Sequence, residues 1–186
     1  MGRLIYSMGV SLDGYTEDEG GKFDWAAPGD EVHRRANKEA EASAALLYGR
    51  RMYELMEGFW PAAAAGDEEA GEVEAEFARA YVASPRVVFS DTLESVSDGA
   101  RLVRRKDALD EVKRLKRESD GPLGVGGNEL AASLFDEIDE FHMWVNPVAV
   151  GGGKPFFPRG REQVGLRLVE ETRYPGDVLW LSYERA

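Results

Sequence analysis

The order in which two residue periods follow one another constrains this fold most. Up to about residue 136, short apolar runs of strand length alternate with segments whose apolar residues recur at helical spacing. The expected strands are Leu4–Leu12, Ala45–Tyr48, Arg86–Ser90 and Leu123–Val125. The expected helices run from Asp30 to about Ser43, Arg50 to about Gly58, Asp67 to Ala83, Asp107 to about Glu118 and Asn128 to Phe135. The third is the clearest, with Ala70, Val73, Phe77, Ala80 and Tyr81 in one stripe. The fourth should turn Leu109, Val112 and Leu115 inward, and Pro61–Gly66 should break the second. After residue 138 the period becomes two. Phe141, Met143 and Val145 alternate with His142, Trp144 and Asn146, as in a half-buried strand. Leu166–Glu171 and Val178–Tyr183 flank the turn Tyr174-Pro175-Gly176-Asp177. This order predicts an α/β domain over residues 1–186, with a mostly parallel sheet finished by antiparallel strands at one edge.

Two stretches read strand, glycine, helix: Ala45-Leu46-Leu47-Tyr48-Gly49-Arg50-Arg51-Met52-Tyr53 and Leu123-Gly124-Val125-Gly126-Gly127-Asn128-Glu129-Leu130. Each junction points free backbone N–H groups out of the sheet at the positive end of a helix dipole, a geometry suited to phosphate. Two in one small domain suggest a ligand with more than one anionic group, such as a dinucleotide. The first is the more informative. The other long helices open with acids, Asp67-Glu68-Glu69 and Asp107 with Asp110. The helix after Gly49 opens with Arg50 and Arg51, each unfavourable there by a few tenths to about 1 kcal/mol. A bound anion would reverse that sign, although solvent or neighbouring acids would also satisfy both side chains. Gly126-Gly127 permits torsions closed to other residues, with Asn128 as a helix cap. It is not the Rossmann fingerprint, because Glu129 stands where the last glycine belongs.

Composition removes several classes. The formal charge is −12, against nucleic acid and anionic membranes as partners. There is no cysteine, hence no disulfide framework, and no Cys-pair zinc site of a nucleobase deaminase. No apolar run has membrane-spanning length and the first residues enter a strand directly, so a soluble cytoplasmic protein is expected. No metal set is expected; His33 and His142 read as surface residues, and Asp136, Glu137, Asp139 and Glu140 as solvated acids. Gly151-Gly152-Gly153-Lys154 is not a P-loop, since Pro155 stands where Ser or Thr belongs. Asp13, in Ser11-Leu12-Asp13-Gly14 at the end of the first strand, is well placed to face a ligand or to form a turn. Residues 13–29 form a loop of a length that is usually functional, and Trp25 within it reads as a lid or stacking residue. Trp60 reads as a core or helix-end anchor.

Taken together these segments resemble the dihydrofolate reductase-like superfamily. Within it, the chain is most similar to the reductase domain that forms the C-terminal half of the bifunctional riboflavin-biosynthesis deaminase–reductase, and to its stand-alone bacterial relatives. The resemblance rests on Ser11–Gly14, Leu47–Glu54, Val88-Phe89-Ser90-Asp91-Thr92-Leu93, Gly124–Gly127, Phe135–Ile138, Pro147-Val148 and Gly152–Phe157, in that order. It implies a three-layer α/β/α fold that binds NADPH. Gly49, Arg50, Arg51 and Met52 would hold phosphates, and Ser90, Asp91 and Thr92 would border the adenosine ribose. Gly126, Gly127, Asn128 and Glu129 would contact the pyrophosphate, with an unusual Gly126–Gly127 peptide bond. Asp13 and Trp25 would lie near the nicotinamide and substrate, Asp13 as the catalytic group. Arg34 and Arg35 would meet an anionic substrate tail. Met52 replaces the family's usual Thr, and the Asp91 carboxylate would repel a 2′-phosphate, which leaves NADH open.

The expected activity is therefore hydride transfer from a pyridine nucleotide to a C=N-type bond of a small heterocycle, a riboflavin precursor or a pterin. The alternatives are a non-catalytic nucleotide- or flavin-binding protein and an interaction domain without ligand. A homodimer is expected by similarity, with Trp144 and Trp180 on the late strands as its contact.

Overall fold

The structure, a computed structural model, describes residues 1–186. Its elements are β1 (Leu4–Ser11), β2 (Tyr15–Glu17), α1 (Asp30–Ala42), β3 (Ala45–Gly49), α2 (Arg50–Glu57), α3 (Trp60–Ala65), α4 (Glu72–Ala83), β4 (Arg86–Phe89), β5 (Ala100–Val103), α5 (Ala108–Glu118), β6 (Leu123–Gly126), α6 (Asn128–Ser133), β7 (Glu140–Asn146), β8 (Lys154–Pro155), β9 (Leu166–Arg173) and β10 (Leu179–Arg185). Eight strands form one sheet in the order β5-β4-β3-β6-β1-β7-β10-β9. From β5 to β7 all neighbours are parallel. β10 is antiparallel to both β7 and β9. The change from helix-separated to consecutive strands produces this: only a crossover can join parallel neighbours, whereas a short turn suffices for antiparallel ones. β2 and β8 form a separate antiparallel ribbon.

Both faces of the sheet are covered. Leu4, Tyr6, Val10, Leu47, Phe89, Val125 and Phe141 pack against Ala108 and Val112 of α5 and Leu130 and Ala131 of α6. On the other face Leu46, Tyr48 and Val88 meet Tyr53 of α2 and Tyr81 of α4. Farther along that face, Trp144 and Trp180 pack on Val32 of α1. The result is the three-layer α/β/α arrangement with parallel centre and antiparallel C-terminal edge that the chain was expected to adopt.

Four local expectations change. Residues 60–65 are helical, because Pro61 sits in the first turn, where no N–H is required, and Gly66 (φ 82°) closes the last turn left-handed. The helix expected from Asp67 accordingly starts at Glu72. Leu109 is 44% exposed, since the buried stripe of α5 is Ala108, Val112 and Lys116. His33 is half-buried against Trp60 and Phe77, with ring centroids at 5.9 and 5.7 Å, and desolvation lowers its pKa.

The fourth change concerns β7. His142 and Trp144 face α1 rather than water, so this strand is covered on both sides. His142 donates from Nε2 to Glu140 at 3.0 Å and from Nδ1 to Glu39 of α1 at 3.2 Å. Burial alone would lower its pKa; the two carboxylates outweigh that and raise it to about 9. Trp180 donates to the same Glu39, and Trp144 to Ser7. With relative exposures of 1% and 7%, Trp180 and Trp144 are core residues beneath α1 and cannot serve as a dimer contact.

Candidate functional site

A cleft of about 530 Å3 opens at the carboxyl-terminal edge of the parallel strands. Ends of β3, β4 and β6 form one side, and β1 contributes Met8 and Gly9. Such crevices are the usual ligand sites of open α/β sheets. Three expected segments meet here although they are far apart in sequence: Gly49, Arg50, Arg51 and Met52; Ser90, Asp91 and Thr92; and Gly127, Asn128 and Glu129. A smaller cavity of about 310 Å3 lies at the amino end of β1. Its Arg3, Lys116, Asp139 and Glu184 already pair, Arg3 with Glu184 and Lys116 with Asp139 at 2.8 Å.

The side chains of Arg50 and Arg51 leave the first turn of α2, whose cap is Gly49 with no side-chain hydrogen bond. Gly49 runs straight from β3 into α2 (φ −76°, ψ 167°), so the helix axis points its N–H groups into the cleft. Arg50 has only a distant partner, Glu54 at 3.9 Å. Arg51 meets Glu17 of β2 at 2.9 Å. Lys154 of β8 stands between Glu17 (3.3 Å) and Glu129 (3.1 Å). The Lys154 hydrogen bond, with the charges of Arg105 and Arg51 behind it, holds the Glu129 carboxyl below its ordinary pKa.

Ser90 and Asp91 shape the next wall. Ser90 Oγ accepts from the N–H groups of Thr92 and Leu93 at 3.2 and 3.1 Å, closing a turn at the end of β4. One oxygen of Asp91 accepts the backbone N–H of Arg105 at 3.0 Å. Asp91 thus enters the cleft beside a cation, and both line it.

The diglycine divides its tasks. Gly126 does not line the cleft; a Cβ there would lie 2.7 Å from the Tyr48 ring, so packing against Tyr48 requires the glycine. Gly127 lines it with φ 93°, backbone that favours glycine. The peptide between them is trans. Gly127, not Asn128, occupies the cap position of α6. Asn128 instead donates to Thr16 of β2 at 2.8 Å.

Besides Gly126, four expected site residues lie outside the cleft. Both oxygens of Asp13 are engaged, accepting from Ser11 Oγ at 2.7 Å and from the N–H groups of Val150 and Gly151 at 3.1 and 2.7 Å. These bonds, the Ser11 one foremost, lower its pKa. Asp13 clasps the loop after β7 to the end of β1 and does not face the cleft. Trp25 sits in a single 3-10 turn, half-buried, with its indole N–H enclosed; its neighbours Phe23 and Ala26 line the cleft in its place. Arg34 faces out from α1, 3.9 Å from Asp30. Arg35 lies 3.9 Å over the Trp180 ring and 3.5 Å from Glu170. Neither lines the cleft: Arg35 is turned toward the late strands, and Arg34, one position along the helix, toward solvent.

The residues missed are Glu17, Phe23, Arg105 and Lys154. Arg105 had a signal, as the middle of Arg104-Arg105-Lys106, three consecutive bases in an acidic chain. Lys154 had one in Gly151-Gly152-Gly153-Lys154, set aside with the P-loop reading, whereas Glu17 had none, because it reaches the cleft only through the β2–β8 ribbon.

The chain belongs to the RibD C-terminal domain family, whose model matches residues 3–180. It is 25% identical over 184 residues to the uncharacterized protein YyaP of Bacillus subtilis, covering 97% of this chain and 94% of that one. A riboflavin biosynthesis candidate from Shewanella sp. PV-4 superposes with TM-score 0.74 at 22% identity, covering 100% of this chain and 99% of that one. The deaminase/5-amino-6-(5-phosphoribosylamino)uracil reductase of Thermotoga maritima gives 0.68 at 15%, with 100% of this chain on 57% of the larger one. Dihydrofolate reductase of Enterococcus faecalis, complexed with NADP(H), gives 0.63 at 15%, covering 98% and 96%. These superpositions show the dihydrofolate reductase-like fold. No helix is long and apolar enough to cross a membrane.

Proposed function

We propose that this chain is an NADPH-dependent reductase of a small heterocyclic substrate, similar in activity to 5-amino-6-(5-phosphoribosylamino)uracil reductase or dihydrofolate reductase, with NADH as the alternative cofactor. One observation carries the reading: three strand ends and the cationic first turn of α2 line a single cleft. Family membership supports it. The donor set fits a dinucleotide, with Arg50, Arg51, Arg105 and Lys154 lining the same cleft as apolar Met8, Phe23, Ala26 and Leu55.

When bound, the nicotinamide supplies the hydride. Arg50, Arg51 and the free N–H groups of α2 hold phosphate. Ser90 and Thr92 border the ribose, and Arg105 offsets the charge of Asp91. Gly127, Asn128 and Glu129 contact the pyrophosphate end. Phe23 and Ala26 supply apolar surface beside Met8 and Gly9 of β1. Asp13 acts as a positioning residue, holding the 148–153 loop from which β8 and Lys154 follow. The protein is taken to work in the cytoplasm, without nucleic acid or membrane. Its homodimer contact falls on the outer strands, where Leu168, Val169 and Leu179 are exposed; sedimentation at the monomer mass in analytical ultracentrifugation would remove that part.

The test is a fluorescence titration with NADPH and NADH, followed by NADPH oxidation across uracil and pterin substrates. Failure of both nucleotides to bind overturns the reading. The position of Asp13 outside the cleft favours a second reading, binding of a nucleotide or flavin without turnover. It predicts saturable binding and no oxidation with any substrate.

A further inference from the structure

The cleft already holds anions of its own. Glu17 Oε1 and Oε2 lie 3.0 and 2.9 Å from Arg51 Nη1, and Oε1 lies 3.3 Å from Lys154 Nζ. Its side chain is 13% exposed, whereas Arg51 is 59% exposed. Glu17 is fixed from both sides. On one, β2 pairs with β8, and Gly153 (φ 127°) approaches so closely that a Cβ there would come within 1.9 Å of the Glu17 carbonyl oxygen. On the other, Thr16 accepts from Asn128 and donates to the Lys154 carbonyl at 3.2 Å. The carboxylate is therefore delivered to these two cations by the backbone, not drawn from a free surface side chain.

We propose that Glu17 is the specificity-determining residue of the anion subsite: it occupies Arg51 and Lys154 as an internal substitute for ligand phosphate. A single phosphate arriving there exchanges one anion for another and gains little. A diphosphate brings more charge, also reaches Arg50 and the free N–H groups of α2, and displaces the carboxylate with net gain. Glu17 thus raises the threshold for small anions and reserves the cleft for a ligand with two phosphates. The dinucleotide as that ligand rests on the function proposed above; the competition itself requires only the two cations.

The experiment is calorimetric titration of the full chain with inorganic pyrophosphate, inorganic phosphate and NADPH. The variants are Glu17→Gln, Arg51→Gln and the two combined. Releasing two cations from one carboxylate should tighten pyrophosphate and NADPH about tenfold in Glu17→Gln. Inorganic phosphate becomes a measurable ligand in the same variant. With Arg51 already Gln, the gain from Glu17→Gln falls to about threefold, because only Lys154 remains contested. Glu17→Asp, which keeps the charge but shortens its reach, gives an intermediate gain and guards against a folding effect of Gln. Unchanged or weaker pyrophosphate binding in Glu17→Gln overturns the proposal. So does an equal gain in the Arg51→Gln background, which marks a general charge effect. Tighter pyrophosphate with no NADPH binding to any variant supports the competition and removes the reductase reading. Equal affinity of wild type and Glu17→Gln for both pyrophosphate and NADPH, with NADPH bound by each, removes the competition and leaves that reading standing.

Discussion

Arg86 and the Arg50–Arg51 pair lie at opposite ends of helices, and the contrast separates a structural cation from a functional one. Arg86 begins β4 just beyond the carboxyl end of α4 and is 4% exposed. Its guanidinium donates to the carbonyls of Tyr81 (2.8 Å), Val82 (3.2 Å), Ser84 (3.1 Å) and Asp98 (2.7 Å). It also lies over the Tyr81 ring at 4.8 Å, and its Nε is 3.3 Å from Glu57, near enough for charge attraction though not aligned for a hydrogen bond. Helix carbonyls, the negative end of a dipole and a ring face all favour a cation there. Arg50 and Arg51 meet the reverse environment, the positive end of α2, in an open cleft. Packing explains the first site completely. On the function proposed above, the second would gain its rationale from a bound anion.

The strongest way to break this comparison is to truncate both sites. Arg86→Met should cost about 3–5 kcal/mol in denaturant unfolding, since it strands buried carbonyls and Glu57. The double variant Arg50→Gln/Arg51→Gln should stay within about 1 kcal/mol of wild type or exceed it, because two cations leave a like-signed helix end. Equal losses at both sites would abolish the distinction. Next in size, NADPH at about 100 times its dissociation constant should add roughly 2.7 kcal/mol of stability to wild type and much less to the double arginine variant. A ligand-induced rise that survives in the variant would place the anion elsewhere.

A smaller effect sharpens the comparison through another buried cation. His142 has its pKa raised to about 9 from an ordinary 6.5. Its contribution to stability is therefore complete below about pH 6.5 and is lost as pH rises through about 9. Unfolding measured across that window should show the decline in wild type and a flatter profile in His142→Gln. A decline of equal size in the variant would assign the pH dependence to other groups. The least effect is expected at Asp13: Asp13→Asn should leave NADPH affinity within about twofold, since its carboxylate holds a loop rather than a ligand. A large loss there would return Asp13 to the site.

The sequence determined what depends on neighbours along the chain. Residue period set the strands and helices, their alternation dictated a parallel sheet, and the consecutive late strands dictated the antiparallel edge. Gly49-Arg50-Arg51 stood out in the sequence because a helix start bearing two cations is locally unfavourable whatever surrounds it. The tertiary structure decided what depends on who arrives from elsewhere. Alternation could mark His142 and Trp144 as one face of a strand, yet only the placement of α1 turned that face into core. Asp13 and Trp25 lie near the right strand end, but their orientation is set by the loop after β7 and by a single 3-10 turn. Glu17 and Lys154 enter the cleft through β2 and β8, a ribbon whose pairing joins residues more than a hundred positions apart. Local periodicity reports which side of an element is apolar; it carries no information about the long-range pairing that brings distant charges into one cleft.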